Sequence, residues 1–336
     1  MNRLLFFIAI LIVFSACDLA QKDTPQQVTF RGQVFGTYYS VIYFGDESKV
    51  KQESVDSLLE VFNQSLSYYV PNSVISRINR NETDEVDELF RRVYLRAGEI
   101  SRETNGAFDI TVSPLVNAWG FGFSERESMS DKKVDSILAF VGHQKARLEG
   151  DRIIKSHELV QFDFNAIAKG FATDVVGNFL ESRGITAYLV EIGGDLLAKG
   201  EKPDGSLWRI GLESPAPTMD APQEWEYFIE IRDTGLATSG NYRRYIEENG
   251  KRYSHTIDPL TGYPVTHQLL SVSVLAPDGM SADAYATAFM VMGLDRAMAF
   301  VEARDDLEAF FVIAGDDNEF DSLASSGLEL KKRPQP

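Results

Sequence analysis

Between residues 28 and 325 the chain has no stretch of linker composition, and along that span short β-type segments outnumber helical ones and follow one another in hairpin-like pairs. A doubly wound sheet needs strands that alternate regularly with helices. The order seen here therefore favours an α+β fold: a single compact domain, mostly antiparallel sheet with flanking helices, as one lobe or two intertwined lobes. Val28 to Phe44, rich in aromatic and β-branched residues around Gly32 and Gly36, reads as a strand pair. Apolar residues at helical spacing mark helices over Val55–Leu66 and Val86–Ile100, the second with Asp84 as N-cap. Further helices are expected from about Lys132 to Val141 and from 167 to 182, the latter stopping at Gly184. Strands are expected at 152–155, 159–164, 188–192, 207–212, 226–232, 252–257 and 270–276, followed by helices Ser281–Met292 and Asp295–Ala303. Phe310–Ile313 reads as the last strand and 326–336 as a polar tail.

Charge narrows the function classes. The 336 residues carry 33 Lys+Arg against 50 Asp+Glu, a net charge of -17, and a nucleic-acid binder needs a basic footprint. The single cysteine excludes intrachain disulfides, CxxC redox pairs and cysteine-rich zinc sites. It stands at position 17, directly after a leader. Asn2 and Arg3, an apolar run from Leu4 to Phe14, and the small pair Ser15-Ala16 form an export signal. That run is too short for a spanning helix of roughly 20 residues. Phe14-Ser15-Ala16-Cys17 resembles a lipobox, which would make residues 1–16 a signal peptide, Cys17 the lipidated N-terminus and 17–27 a flexible tether. A cleaved signal with a chance cysteine, or an uncleaved anchor, fits the same residues. Lipidation would place the protein in the bacterial envelope, with Asp18 favouring the inner membrane and a periplasmic face.

The chain has no GxxxxGK[ST] loop, no GxGxxG after its first strand, no HExxH and no GxSxG. Other segments carry the candidate chemistry. Asp283 and Thr287 stand four apart on one face of a helix that Ser281 would cap. A carboxylate beside a hydroxyl suits Mg²⁺, and a helix N-terminus suits phosphate. A first-turn acid next to a buried threonine would look the same. Lys169 lies in the first turn of the 167–182 helix, where the dipole disfavours a cation. It either has an anionic partner, such as a phosphate, or faces solvent. His255 precedes the turn Asp258-Pro259-Leu260-Thr261-Gly262 and serves either as a base or as a turn-stabilising residue. Gly106-Ala107-Phe108-Asp109 either sets a carboxylate beside a ring or is a turn.

GTYYSV (36–41), NGAFDITVSPLVNAWGFG (105–122), FDFNAIAKGFATD (162–174), YLVEIGGDLLAKG (188–200), TSGNYRRY (238–245), SHTIDPLTGYPV (254–265), SVSVLAP (271–277) and SADAYATAFMVMG (281–293) together resemble the ApbE-type FAD:protein FMN transferases, in order and over roughly residues 30–315. The resemblance implies a Mg²⁺-dependent enzyme that cleaves FAD, attaches FMN through a phosphoester to a threonine or serine of an acceptor protein and releases AMP. The implied acceptor is a subunit of a membrane redox complex. By motif match, Asp283, Thr287 and the carbonyl of Ala166 would hold the metal. Phe35, Tyr69, Ala107, Phe108, Asp109, Asp163, Lys169 and Thr256 would contact FAD, with the rings of Phe35, Tyr69 and Phe108 packing on the flavin or adenine. His255 is the candidate base, and Asp283 the second choice. An FAD pyrophosphatase yielding FMN and AMP, or a non-catalytic flavin-binding envelope lipoprotein, would use the same residues.

Overall fold

The computed structural model describes residues 25–122, 126–214, 224–241, 245–248, 251–315 and 320–332. The leader, Cys17 and the tether up to residue 24 lie outside the described residues. In chain order the elements begin with β1 (Gln27–Val34), β2 (Thr37–Phe44), α1 (Gln52–Leu66), α2 (Val74–Asn79), α3 (Glu88–Glu103), α4 (Ser113–Ala118) and α5 (Asp131–Leu138). Next come β3 (Ala146–Glu149), β4 (Arg152–Lys155), α6 (Ala168–Ser182), β5 (Tyr188–Ile192), β6 (Asp195–Lys199), β7 (Trp208–Ser214), β8 (Glu224–Ile231) and β9 (Thr234–Gly240). The chain continues through β10 (Tyr245–Glu248), β11 (Lys251–Ser254), β12 (Leu269–Ala276), α7 (Gly279–Met292), α8 (Leu294–Glu302), β13 (Glu308–Ala314), β14 (Phe320–Ala324) and β15 (Lys331–Lys332).

Eight strands form one sheet in the order β1-β2-β5-β6-β9-β12-β13-β14, with every neighbouring pair antiparallel. The α+β expectation therefore holds. Side chains alternate between the faces of a strand, and the buried residues sort accordingly. Val41, Tyr43, Val190, Ala237, Val274 and Phe311 enter the large core that also contains the apolar residues of α1, α3, α6 and α7. Their neighbours Leu236, Leu275, Phe310 and Val312 face a second core, built with Trp208, Leu212, Ile229 and Ile231 of the sheet β15-β8-β7. The large sheet is thus a middle layer with helices on one face and a small sheet on the other. A satellite cluster of Leu115, Trp119, Val134, Val141 and Ile257 underlies α4 and α5.

Some boundaries differ from the expectation, each for a local reason. Residues 159–164 pair with no strand. Asn79 grips that segment instead, donating to Phe162 O and accepting from Phe162 N, both at 2.8 Å, so side-chain amide bonds replace a ladder. The N-cap of α3 is Asp87, which accepts from Phe90 N at 2.9 Å, while Asp84 bonds Arg152. Ser281 does not cap α7. Asp278 does, accepting from Ser281 N at 2.7 Å, and Ser281 is buried with its hydroxyl accepting from Arg96 Nε at 3.1 Å. Phe310–Ile313 is not the last strand, because β14 extends the sheet and β15 pairs with β8. Leu328 and Leu330 pack on the second core, so residues 326–332 join the fold. Among the described residues no helix is long and apolar enough to cross a membrane.

Candidate active site

The site begins where α6 meets α7. A Cβ placed on Gly170 would lie 2.0 Å from Gly279 O, and one on Gly279 would lie 2.5 Å from Gly170 O, so the two helices touch backbone to backbone at their first turns. Asp174, one turn along α6, accepts from Gly279 N at 2.7 Å and Met280 N at 2.9 Å and thereby fixes the start of α7. This contact brings Asp283 onto α6, where its Oδ2 accepts from Gly170 N at 3.1 Å. Gly170 is the third residue of α6, where a helix offers the N–H no partner of its own, and Asp283 supplies one. Ala166 precedes the Ile167 N-cap, so its carbonyl takes no part in the α6 ladder. One turn further along α7, Thr287 Oγ1 lies 3.3 Å from Ser239 Oγ of β9.

Lys169 does have an anionic partner, and it is a residue the sequence reading missed. Its Nζ lies 2.5 Å from Asp195 Oδ2 and 3.7 Å from Asp283 Oδ2. Asp195 and Asp283 are 2% and 4% exposed, so two buried carboxylates share one lysine. Burial alone would lower the lysine's pKa, but the carboxylates outweigh it and hold it above its ordinary value. Burial and then Asp283 push Asp195 upward against the pull of Lys169. Asp195 follows Gly193 and Gly194, whose φ values of 57° and 94° form the tight β5–β6 turn. An acid after a glycine pair was a visible signal; Ser239 lay inside the resembling segment 238–245 without a signal of its own.

A chain of contacts links this junction to the flavin candidates. Phe35, at φ 51°, and Gly36, at φ 73°, form the two-residue turn between β1 and β2. A bulky side chain rarely takes that conformation. Its ring packs 5.4 Å from Phe62, which packs 5.6 Å from Phe171 of α6. The turn borders a cavity of about 970 Å³ shared with Gln52, Asp56 and Asn63 of α1. Tyr69 is 62% exposed and stacks on Tyr68, with ring centroids 4.4 Å apart. The Tyr68 hydroxyl accepts from Asn165 at 2.7 Å, next to Asp163. Burial raises Asp163 to about 6, against a bond from Asn165 N.

The remaining candidates gather at the satellite cluster. Ala107 and Phe108 are buried, and the Phe108 ring belongs to the large core. Only the edge of that ring is left open, the residue being 2% exposed. Both oxygens of Asp109 are engaged, one by Thr111 and the other by His143 N at 2.6 Å. Thr256 accepts from Val265 N at 3.0 Å within a loop tied to α4 by a bond from Trp119 Nε1 to Gly262 O. In that loop His255 meets the ring of Phe121, 6.4 Å away, and Leu260 covers Gly106. A cavity of about 640 Å³ opens between Gly106, Asp109, His143 and Leu260. The acidic junction lines neither cavity.

The backbone-close helix junction, with its oxygen ligands and lysine, lies within residues 35–311, the span matched by the family model described as the ApbE family. The chain belongs to the ApbE family. Relatives across nearly its full length include the FAD:protein FMN transferase of Vibrio cholerae, 37% identical over 98% of each chain, and that of Haemophilus influenzae, 36% identical over 96% of this chain and 95% of the relative. The solved flavinyl transferase ApbE of Pseudomonas stutzeri, in apo form, superposes with a TM-score of 0.80 at 34% identity, covering 90% of this chain and 95% of that one. Within this ApbE protein the metal-type ligands are sparse. Among the described residues no three His, Cys, Asp or Glu side chains are grouped to hold a metal. Asp283, Thr287 and the Ala166 carbonyl, one ligand of each oxygen type, still fit a hard cation that keeps waters.

Asp174 gives the junction a pH dependence. Burial, and secondarily Asp278, raises it from 3.8 to about 7 despite the two N–H bonds. Because the folded value is the higher one, its stabilising contribution is full below pH 3.8 and shrinks as pH rises, levelling off above about 7. Melting of the unliganded protein should therefore lose up to ~1.4 kcal/mol per pH unit from this group between pH 4 and 7. Asp174→Asn should flatten that slope, and an unchanged slope would assign it to other groups.

Proposed function

We propose that the protein transfers FMN from FAD to a threonine or serine hydroxyl of an acceptor protein and releases AMP, with Mg²⁺ as cofactor. The observation that carries this is the α6–α7 junction, where Lys169 of α6 pairs with Asp283 of α7 and Asp283 accepts from Gly170 N, with Thr287 one turn further along α7. Phosphoryl-type transfer needs positioning and charge neutralisation more than covalent chemistry. The names of the relatives point the same way. Asp283, Thr287 and the Ala166 carbonyl would hold Mg²⁺, which when bound neutralises charge on a pyrophosphate. Lys169 would bind the phosphates through its ammonium. The acceptor oxygen forms a bond to the FMN phosphorus as the anhydride bond to AMP breaks, and His255 takes the hydroxyl proton. Tyr69 offers a ring face to the flavin or adenine, supported from behind by Tyr68.

Cys17 would carry the lipid anchor. Two or three acyl chains, at ~0.8 kcal/mol per buried CH₂, would hold the enzyme at the periplasmic face of the inner membrane. An acceptor in a membrane redox complex would then lie within reach.

The decisive experiment mixes the full chain with FAD, Mg²⁺ and a flavin-bearing redox subunit, then follows AMP by chromatography and the acceptor by mass spectrometry. An FMN increment on the acceptor is expected. AMP with free FMN and no adduct would make the protein a pyrophosphatase, and neither product would leave a flavin-binding lipoprotein. His255→Ala should slow adduct formation ~100-fold or more with FAD affinity retained, and unchanged transfer would remove it as the base. Tyr69→Ala should weaken FAD binding up to ~10-fold, read by flavin fluorescence; an unchanged affinity would place the rings elsewhere.

A further inference from the structure

Asp195 is a buried carboxylate that the chemistry above does not use. It belongs to the β5–β6 turn, whereas Lys169 comes from α6 and Asp283 from α7, so three separate elements bring the three charges together. Only a residue without a Cβ fits beside the lysine stem here, since a Cβ built on Gly193 would stand 3.5 Å from Lys169 Cδ and 2.8 Å from Thr37 Cγ2. The ammonium makes a direct 2.5 Å hydrogen bond to Asp195 and only a 3.7 Å ion pair to Asp283.

A lysine and a divalent cation compete for one carboxylate, because the two positive charges repel strongly at such range in a buried site. We propose that Asp195 is a positioning residue that holds Lys169 away from Asp283 and so keeps Asp283 available to a divalent cation. The inference rests on the metal site assigned under the proposed function. With Asp195 neutralised, the lysine keeps one carboxylate within reach, closes onto Asp283 and blocks it. The same displacement would also withdraw the ammonium from a phosphate, so a single residue would set both metal and phosphate binding.

Binding of Mn²⁺ to the full chain in detergent, without FAD, tests this by electron paramagnetic resonance. Asp195→Asn should lower Mn²⁺ affinity roughly ten-fold or more. Adding Lys169→Met to that variant removes the competitor and should restore most of the loss. An Asp195→Asn variant that binds Mn²⁺ like the wild type would overturn the proposal. So would a double variant as weak as the single one, since Asp195 would then be a ligand itself or a support of the fold. Melting temperatures of both variants separate the last two cases. Mn²⁺ binding that survives Asp283→Ala would overturn the metal assignment and this inference together. A wild type that binds Mn²⁺ through Asp283 yet turns over no FAD would overturn only the proposed function.

Discussion

Asp283→Ala is expected to abolish Mg²⁺-dependent AMP release, by a factor of ~10³ or more. Asp283 contributes the sole side-chain carboxylate of the proposed ligand set, and at 4% exposure no water shell replaces what it loses. It also accepts the Gly170 N–H, so alanine would leave a buried donor unpaired at ~1–3 kcal/mol. A fold defect and a chemical defect would then be mixed. Asp283→Asn separates them, because its amide oxygen still accepts from Gly170 N while the charge is gone. The asparagine variant should melt within a few degrees of the wild type, bind FAD, and still release no AMP. Full turnover in that variant would remove Asp283 from the metal site.

The sheet was legible because its signal is local and two-fold. Tyr39, Val41 and Tyr43 are buried on one face of β2, and β-branched or aromatic runs at 188–192 and 270–276 mark strands wherever they occur. The failures share another cause. Residues 159–164 have strand composition, yet Asn79 satisfies their backbone from 83 positions away in sequence, which no local pattern encodes. The caps of α3 and α7 were each misplaced by three residues. Asp84 and Asp87 are both plausible caps, and the choice falls to Asp87 because Arg152 holds Asp84.

Chemistry was legible where a residue broke a local rule. Lys169 opposes the helix dipole, which left an anionic partner or a solvent-facing side chain as the alternatives; the partner in the folded chain is Asp195, with Asp283 behind it. The identity of that partner could not follow from periodicity, because the β5–β6 turn reaches α6 only in the packed fold. Phe108 shows what only the fold adds. Its ring suggested a ligand platform beside Asp109, and in the folded chain it lies within the large core while its N–H donates to Thr104 Oγ1. The candidate residues were thus readable one by one, while their division into the α6–α7 junction and a second group around His255 needed the fold.

Gly170→Ala should show the largest purely steric effect. In the body of a helix this substitution normally stabilises, by up to ~1 kcal/mol, through reduced backbone entropy and better propensity. Here the new methyl would sit 2.0 Å from Gly279 O, 2.6 Å from Gly279 C and 2.8 Å from Asp283 Cβ. Two of those three atoms are backbone, so relief requires α7 to move rather than a side chain to rotate. Overpacking of this kind costs ~1–3 kcal/mol or more and outweighs the propensity gain. For a chain of this size that lowers the melting temperature by several degrees. The shift would also break the bonds from Gly170 N to Asp283 and from Gly279 N to Asp174, and so move Asp283 relative to α6. Stability and Mn²⁺ affinity should therefore fall together in Gly170→Ala. Gly177→Ala on the same helix provides the control, since its Cβ would meet mainly the ends of the Tyr188 and Leu197 side chains. That variant should lose stability without losing metal affinity, and an equal loss of metal affinity in both would mean that the Gly170–Gly279 contact does not set the site.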